Sequence, residues 1–157
     1  MKRVLICGLP SSGNHLLKDI VAACGGVGII DHGDRRDGSP TTQERIQSAV
    51  RDGVLPAALW PVRALAPWRA SLKRRWPVGT PLYPPVEKLG DWDRYRETTT
   101  AVKLKALHEM GLRCLHVSYE GLIRWPEETV REICAFCGLE PAAAAWEMVR
   151  DENEKYG

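Results

Sequence analysis

Short runs of consecutive apolar residues alternate along the chain with longer stretches in which apolar positions recur every three or four residues. Val4-Leu5-Ile6-Cys7, Val27-Gly28-Ile29-Ile30, the segment 55–62 and, apart from Arg113 and His116, the segment 112–117 are apolar runs bounded by glycine or polar residues. That is the form of strands buried on both faces. The first of these strands is expected over about residues 3–8, and Pro56 must sit at the start of the third. Leu16, Leu17, Ile20, Val21 and Cys24 mark one face of a helix over about 14–24, stopped by Gly25-Gly26. Thr41 or Thr42 can cap a second helix that runs to about Arg51, with Glu44 in its first turn and Gly53 beyond its end. Trp68, Leu72 and Trp76 stand four apart and predict a short helix over 67–76. Residues 77–85 hold four prolines and form a loop, and a long helix is expected from about Trp92 to Met110, ended by Gly111. Pro126 opens a further helix with Glu127 and Glu128 behind it. Val130, Ile133, Cys134 and Cys137 form that helix's buried stripe, and Gly138 is its cap. A last helix is expected over about 141–154.

Strands alternating with helices imply an α/β fold: three αβα layers around a mainly parallel sheet. At 157 residues the expectation is a single domain spanning 1–157. Ligands in such folds bind beyond the carboxyl ends of the strands. Gly8, Asp31-His32, Val62-Arg63 and Tyr119-Glu120 all fall at those ends.

Composition narrows the chemistry. A net charge of +2 is too small for charge alone to select nucleic acid as a partner. No apolar stretch has the length of a secretory signal core or a membrane span, so the expected location is cytoplasmic. The five cysteines lie on apolar faces and read as small buried hydrophobes in a reducing compartment. Cys134 and Cys137 have the C-x-x-C spacing without a second ligand pair, and no metal site is expected.

The chemistry-bearing element is Gly8-Leu9-Pro10-Ser11-Ser12-Gly13. It follows a strand and opens a helix, which is the context in which backbone N–H groups and a helix N-terminus converge on an anion. A nucleotide hydrolase would continue with a lysine for the outer phosphates and a hydroxyl for magnesium, but Asn14 and His15 stand there instead. The loop is therefore suited to a phosphate bound without those two groups.

Three segments together resemble the sulfotransferase family that uses 3′-phosphoadenosine-5′-phosphosulfate (PAPS). Residues 8–15 are similar to that family's 5′-phosphosulfate loop. Ala58-Leu59-Trp60-Pro61-Val62-Arg63, with Ser71 eight residues on, resembles its 3′-phosphate segment. Val117-Ser118-Tyr119-Glu120, then Trp125-Pro126 and Phe136-Cys137-Gly138-Leu139, follow its strand, tyrosine-glutamate turn, proline-started helix and terminal Gly-Leu. The resemblance implies a P-loop-NTPase-like sulfotransferase architecture. It also implies PAPS as donor, with 3′-phosphoadenosine-5′-phosphate (PAP) as product. Pro10, Ser11, Ser12, Gly13, Asn14 and His15 would hold the phosphosulfate, Arg63 and Ser71 the 3′-phosphate, and Tyr119 would contact the nucleotide. Tyr119 and Glu120 equally fit structural roles, the ring packed under the adjoining turn and the carboxylate holding a loop amide.

Two departures stand out. Ser11 occupies the place of the family's loop lysine, and its late Arg-Lys-Gly segment is absent, with Arg69, Lys73 and Lys155 as unmatched basic residues. His15 replaces a hydroxyl residue and, when protonated, could supply a donor. Sulfuryl transfer needs positioning, charge stabilisation and a base for the acceptor proton. The candidate base is His32, because an imidazole titrates near ~6.5; a loop-capping role with Asp31 and Asp34 is its alternative. His108 and His116 read as helix-surface and strand-core residues. The acceptor is expected to be a small molecule or glycan, and a second subunit could cover the substrate in a homo-oligomer. Two other readings remain: a P-loop nucleotide kinase, and a non-catalytic nucleotide- or nucleic-acid-binding module. The second would use Arg69, Lys73, Arg74 and Arg75 beside Trp68 and Trp76.

Overall fold

The computed structural model describes residues 1–9, 11–31, 42–75 and 89–150. Four strands, β1 (Arg3–Ile6), β2 (Val27–Ile30), β3 (Val54–Val62) and β4 (Arg113–Ser118), form one sheet in the order β2-β1-β3-β4. Every pairing is parallel. Among the described residues, seven helices lie between and after them: α1 (Asn14–Ala23), α2 (Thr42–Arg51), α3 (Leu65–Arg75), α4 (Leu89–Glu109), α5 (Tyr119–Arg124), α6 (Pro126–Cys137) and α7 (Ala143–Glu147).

Two apolar clusters show how the layers are assembled. On one face Val4, Ile6, Leu59 and Val117 of the sheet meet Leu17, Ile20 and Val21 of α1 and Val130, Ile133 and Cys134 of α6. On the other, Leu5, Cys7, Ala58 and Trp60 meet Ile46 of α2 and Ala106 and Leu107 of α4. Alternate residues of β1 thus serve opposite layers, as the period of two in a strand requires. The result is the three-layer αβα arrangement that the apolar pattern implied. The α6 stripe of Val130, Ile133, Cys134 and Cys137 is buried throughout. The helix ends at Gly138, at φ 64°, beyond which the Leu139 N–H returns to Cys134 O at 2.9 Å.

Three expectations are adjusted. β1 closes at Ile6, with one last bond to β3, from the Cys7 N–H to Leu59 O at 2.9 Å, before the glycine turn begins. The final helix holds only five residues, Ala143–Glu147, with no side-chain cap; the Val149 N–H reaches Trp146 O at 3.2 Å, which tightens its end. His116 is exposed rather than in the core, since β4 is an edge strand and His116 lies on the face that α4 covers incompletely. The proline-rich segment 77–85, Trp76, Thr41 and Lys155 lie outside the described residues.

The connection after β1 leads to β2 on one side and the connection after β3 leads to β4 on the other, so the two leave neighbouring strands in opposite directions. The crevice at such a reversal, beyond the carboxyl ends of β1 and β3, is where α/β folds receive ligands. Here it is flanked by the turn after β1 and by Arg63 after β3.

Candidate functional site

The turn after β1 is held by its own side chains. Asn14 Nδ2 donates to Gly8 O at 3.1 Å and Leu9 O at 3.0 Å, and the Ser12 hydroxyl donates to Leu9 O. Ser12 and Asn14 are buried, so their polar groups scaffold the loop. Gly8 sits where β1 presses on β3, and a side chain there would collide with Pro61, Ser12 and Asn14. Gly13, at φ 108°, caps α1 without any side-chain hydrogen bond, and the first turn of that helix carries no acidic residue. The first N–H groups of α1 therefore lack an intrahelical partner and face the crevice mouth with the positive end of the dipole. Ser11 adopts φ 59°, a left-handed conformation uncommon outside glycine, and its buried Oγ has no hydrogen-bond partner among the described residues.

Arg63 reaches across the crevice from the end of β3. Only 4% exposed, it donates from Nη1 to Ser11 O at 3.0 Å and stands 4.3 Å over the centroid of the Tyr119 ring. Its Nε and Nη2 are buried and have no hydrogen-bond partner among the described residues. A guanidinium left partly unsatisfied inside a protein costs stability unless something else takes those donors. The Tyr119 ring also floors the loop, lying against Gly13. Beside it, Glu120 Oε1 accepts from the Ala64 N–H at 3.0 Å, which fixes the backbone that follows Arg63. Tyr119 and Glu120 thus both adopt the structural geometry that their sequence context allowed.

Beneath the loop lies a group with no signal in the sequence. Lys103 of α4 is fully buried, and its Nζ donates to Cys7 O (3.1 Å), Gly8 O (3.3 Å) and Asp31 O (2.7 Å). Asp31 supplies the countercharge, its Oδ2 3.5 Å from Lys103 Nζ and its Oδ1 3.2 Å from Arg45 Nη1. The ammonium ties together the carboxyl ends of β1 and β2, the two strands that flank the loop. Burial pushes the Cys7 thiol far above its ordinary range, outweighing the opposing charge of Lys103, so it stays protonated.

On the α4 side of the loop a cavity of about 240 Å³ is lined by Ser12, Arg63, Trp60, Trp68, Arg96 and His116, among others. His116 stands opposite Trp60 in the ladder, with ring centroids 6.3 Å apart. A second cavity of about 600 Å³ adjoins it, sharing Arg96, Thr100 and Leu104 and adding Leu65, Asp93 and Glu97. Ser71 is half-buried on α3 beside buried Leu72, and His15 is exposed in the first turn of α1. Pro10 and His32 lie outside the described residues.

Residues 49–143 match the model of the sulfotransferase family, a span of more than half the chain. The chain belongs to the sulfotransferase family. The match takes in Arg63, Ser71 and Tyr119 and leaves the glycine loop to be judged on its own geometry. No curated protein matches the chain. Membership supports a transferase of the sulfotransferase type. It disfavours the nucleotide-kinase reading, which already lacked its lysine and magnesium-binding hydroxyl. Among the described residues no helix is long and apolar enough to cross a membrane, and no cluster of His, Cys, Asp and Glu is arranged to hold a metal ion.

The nucleic-acid alternative loses one of its two stacking rings, because Trp68 is buried against Leu9 and Leu72, and the other, Trp76, lies outside the described residues. Arg69 is committed to Asp93, to which Nε and Nη2 both donate. The unmatched basic residues named from sequence therefore include one that is already neutralised. Arg96 and Lys103, which sequence reasoning passed over, are the cations that turn toward the site.

Proposed function

We propose that this chain is a sulfotransferase that takes its sulfuryl group from PAPS and delivers it to a hydroxyl or amine of a small-molecule or glycan acceptor. The observation that carries the reading is Arg63: a nearly buried guanidinium with two nitrogens that lack a hydrogen-bond partner among the described residues, beside a helix N-terminus without a side-chain cap and a Ser11 hydroxyl that likewise lacks one. This donor set is anion-seeking and contains no carboxylate, which fits a ligand with a phosphate at one end and a phosphosulfate at the other.

When bound, the donor supplies an activated sulfuryl group. The chain's own residues bind and orient it. Backbone N–H groups over residues 11–14 and the start of α1 receive the phosphosulfate, with Ser11 Oγ and His15 as further donors. Pro10 restricts the turn, and Ser12, Gly13 and Asn14 keep its shape. Arg63 and Ser71 take the 3′-phosphate, and Tyr119 backs the guanidinium. His32, which follows Asp31 at the end of β2, receives the acceptor's proton on its imidazole. Pro10 and His32 enter this reading from sequence order alone. The whole of 1–157 acts as one domain in it.

The test is a thermal-shift comparison of PAP with ATP and magnesium. At a hundred times its dissociation constant PAP should stabilise the fold by about 2.7 kcal/mol, while ATP with magnesium should give a clearly smaller shift. A larger shift with ATP and magnesium, or none with PAP, removes the proposal.

A further inference from the structure

We infer that Arg96 of α4 is the second guanidinium of the anion site, and that it sets the protein's preference for a nucleotide with a phosphate on its ribose. The inference rests on the donor reading above. It concerns a residue inside the matched span 49–143 but outside the three motif segments that carried the sequence resemblance.

A phosphate dianion in a partly buried crevice is held best by two cationic groups, and Arg63 supplies one. Among the described residues, three other basic side chains near the crevice are already engaged. Arg69 gives Nε and Nη2 to Asp93. Lys103 distributes its protons among Cys7 O, Gly8 O and Asp31. Arg45 donates to Asp31.

Arg96 differs from these. Its Nη2 donates to Arg63 O at 3.2 Å, so its head group meets the same stretch of backbone that carries Arg63. Its Nη1 is buried without a hydrogen-bond partner among the described residues. It lines the inner cavity together with Arg63, Ser12 and Trp68.

The neighbours of Arg96 keep that donor available. Its guanidinium lies 5.2 Å over the centroid of the Trp68 ring, which orients the fork without using its N–H groups. Asp93, about one helical turn before it, is engaged through both of its oxygens by Arg69. The Arg69–Asp93 pair also clamps α3 to α4 beside Trp68, so the two helices present Arg96 in a fixed place. Glu97 lines only the outer cavity and is exposed, and its charge would turn an anion toward the inner one. The inner cavity therefore holds two guanidinium groups with three nitrogens that lack a hydrogen-bond partner among the described residues: Nε and Nη2 of Arg63 and Nη1 of Arg96. The family's late Arg-Lys-Gly segment is absent from this sequence, and Arg96 supplies a cation in its stead from a different element.

The test measures PAP and adenosine 5′-monophosphate, which differ only by the 3′-phosphate, by titration calorimetry against wild type, Arg96→Gln, Arg96→Lys and Arg63→Gln. Wild type should prefer PAP. Arg96→Gln should lose about tenfold or more in PAP affinity and keep its affinity for the monophosphate within about twofold. Arg96→Lys keeps the charge and the contact with Trp68 but not the fork, and should fall between. Equal losses for both nucleotides, or none for PAP, overturn the inference. A PAP preference that survives Arg96→Gln but disappears in Arg63→Gln overturns it alone and leaves the donor reading standing. A wild type with no preference for PAP removes both.

Discussion

Lys103 and Asp31 meet beneath the glycine loop, the ammonium 2.7 Å from the Asp31 carbonyl oxygen and 3.5 Å from its Oδ2, with the lysine fully buried. Two residues 72 positions apart in the chain thereby lock the carboxyl ends of β1 and β2 to α4. Removing one member of a buried ion pair costs far more than the pair itself contributes, because the other charge stays behind without its partner. Lys103→Met should therefore destabilise the fold by about 3–5 kcal/mol in urea denaturation, even though its shape is nearly conserved. Lys103→Met leaves Asp31 with Arg45 as a cationic partner, so Lys103→Met with Asp31→Asn removes a half-paired carboxylate and should recover only part of that loss. If the double variant is no more stable than the single one, the cost comes from packing and not from charge.

The contrast between Lys103 and the α6 stripe shows what the sequence could and could not reveal. Val130, Ile133, Cys134 and Cys137 repeat at the helical period, and their burial follows from local spacing. The strand, turn and helix around Gly8–Gly13 was likewise local. Lys103 carries no such mark, since a lysine on a long charged helix reads as solvated until the tertiary structure brings Cys7, Gly8 and Asp31 to it. Arg96 was hidden for the same reason: its partners are the Arg63 carbonyl and the Trp68 ring, 33 and 28 positions away in the sequence. His116 failed in the opposite direction, because an apolar run does not reveal that its strand is at the sheet edge.

Gly8 is a packing requirement. Any Cβ there meets Pro61 on the neighbouring strand as well as Ser12 and Asn14, which hold the loop. Gly8→Ala should cost about 1–3 kcal/mol in stability through overpacking. It should also weaken PAP binding, because Ser12 and Asn14 must shift to admit the methyl group. Calorimetry and denaturation on the one variant check both outcomes, and unchanged affinity would separate the loop's shape from ligand binding.

The buried thiols predict a loss of stability in alkali. Burial raises Cys137 and Cys114 from 9.0 to about 11 and Cys134, which also has Cys24 as a hydrogen-bond partner, to about 12. Above pH 9 the unfolded chain releases these protons while the folded chain retains them. Stability is then fully present below the unfolded value and declines as pH rises, by about 1.4 kcal/mol per pH unit for each thiol. The decline runs from pH 9 to about 11 for Cys114 and Cys137, and to about 12 for Cys134. Melting temperatures measured from pH 7 to 11 should be level up to about 9 and then drop. Cys137→Ala, which loses some packing, should show a shallower drop.

Ser11 separates the loop's conformation from its chemistry. At φ 59° it occupies backbone space that glycine enters without cost, and its Oγ is buried without a partner among the described residues. In Ser11→Gly the relief of an L-residue in a left-handed conformation, about 1–2 kcal/mol, is offset by the extra freedom of glycine in the unfolded chain. Its stability should accordingly change by less than about 1 kcal/mol. Affinity for PAP should nonetheless fall by about three- to tenfold, the worth of one hydrogen bond. Ser11→Ala must lose the same hydroxyl while keeping the backbone strain, so it should match the glycine variant in affinity and fall below it in stability. If both variants bind PAP as wild type does, the hydroxyl faces no ligand, and the loop grips the anion through its backbone and Arg63 alone.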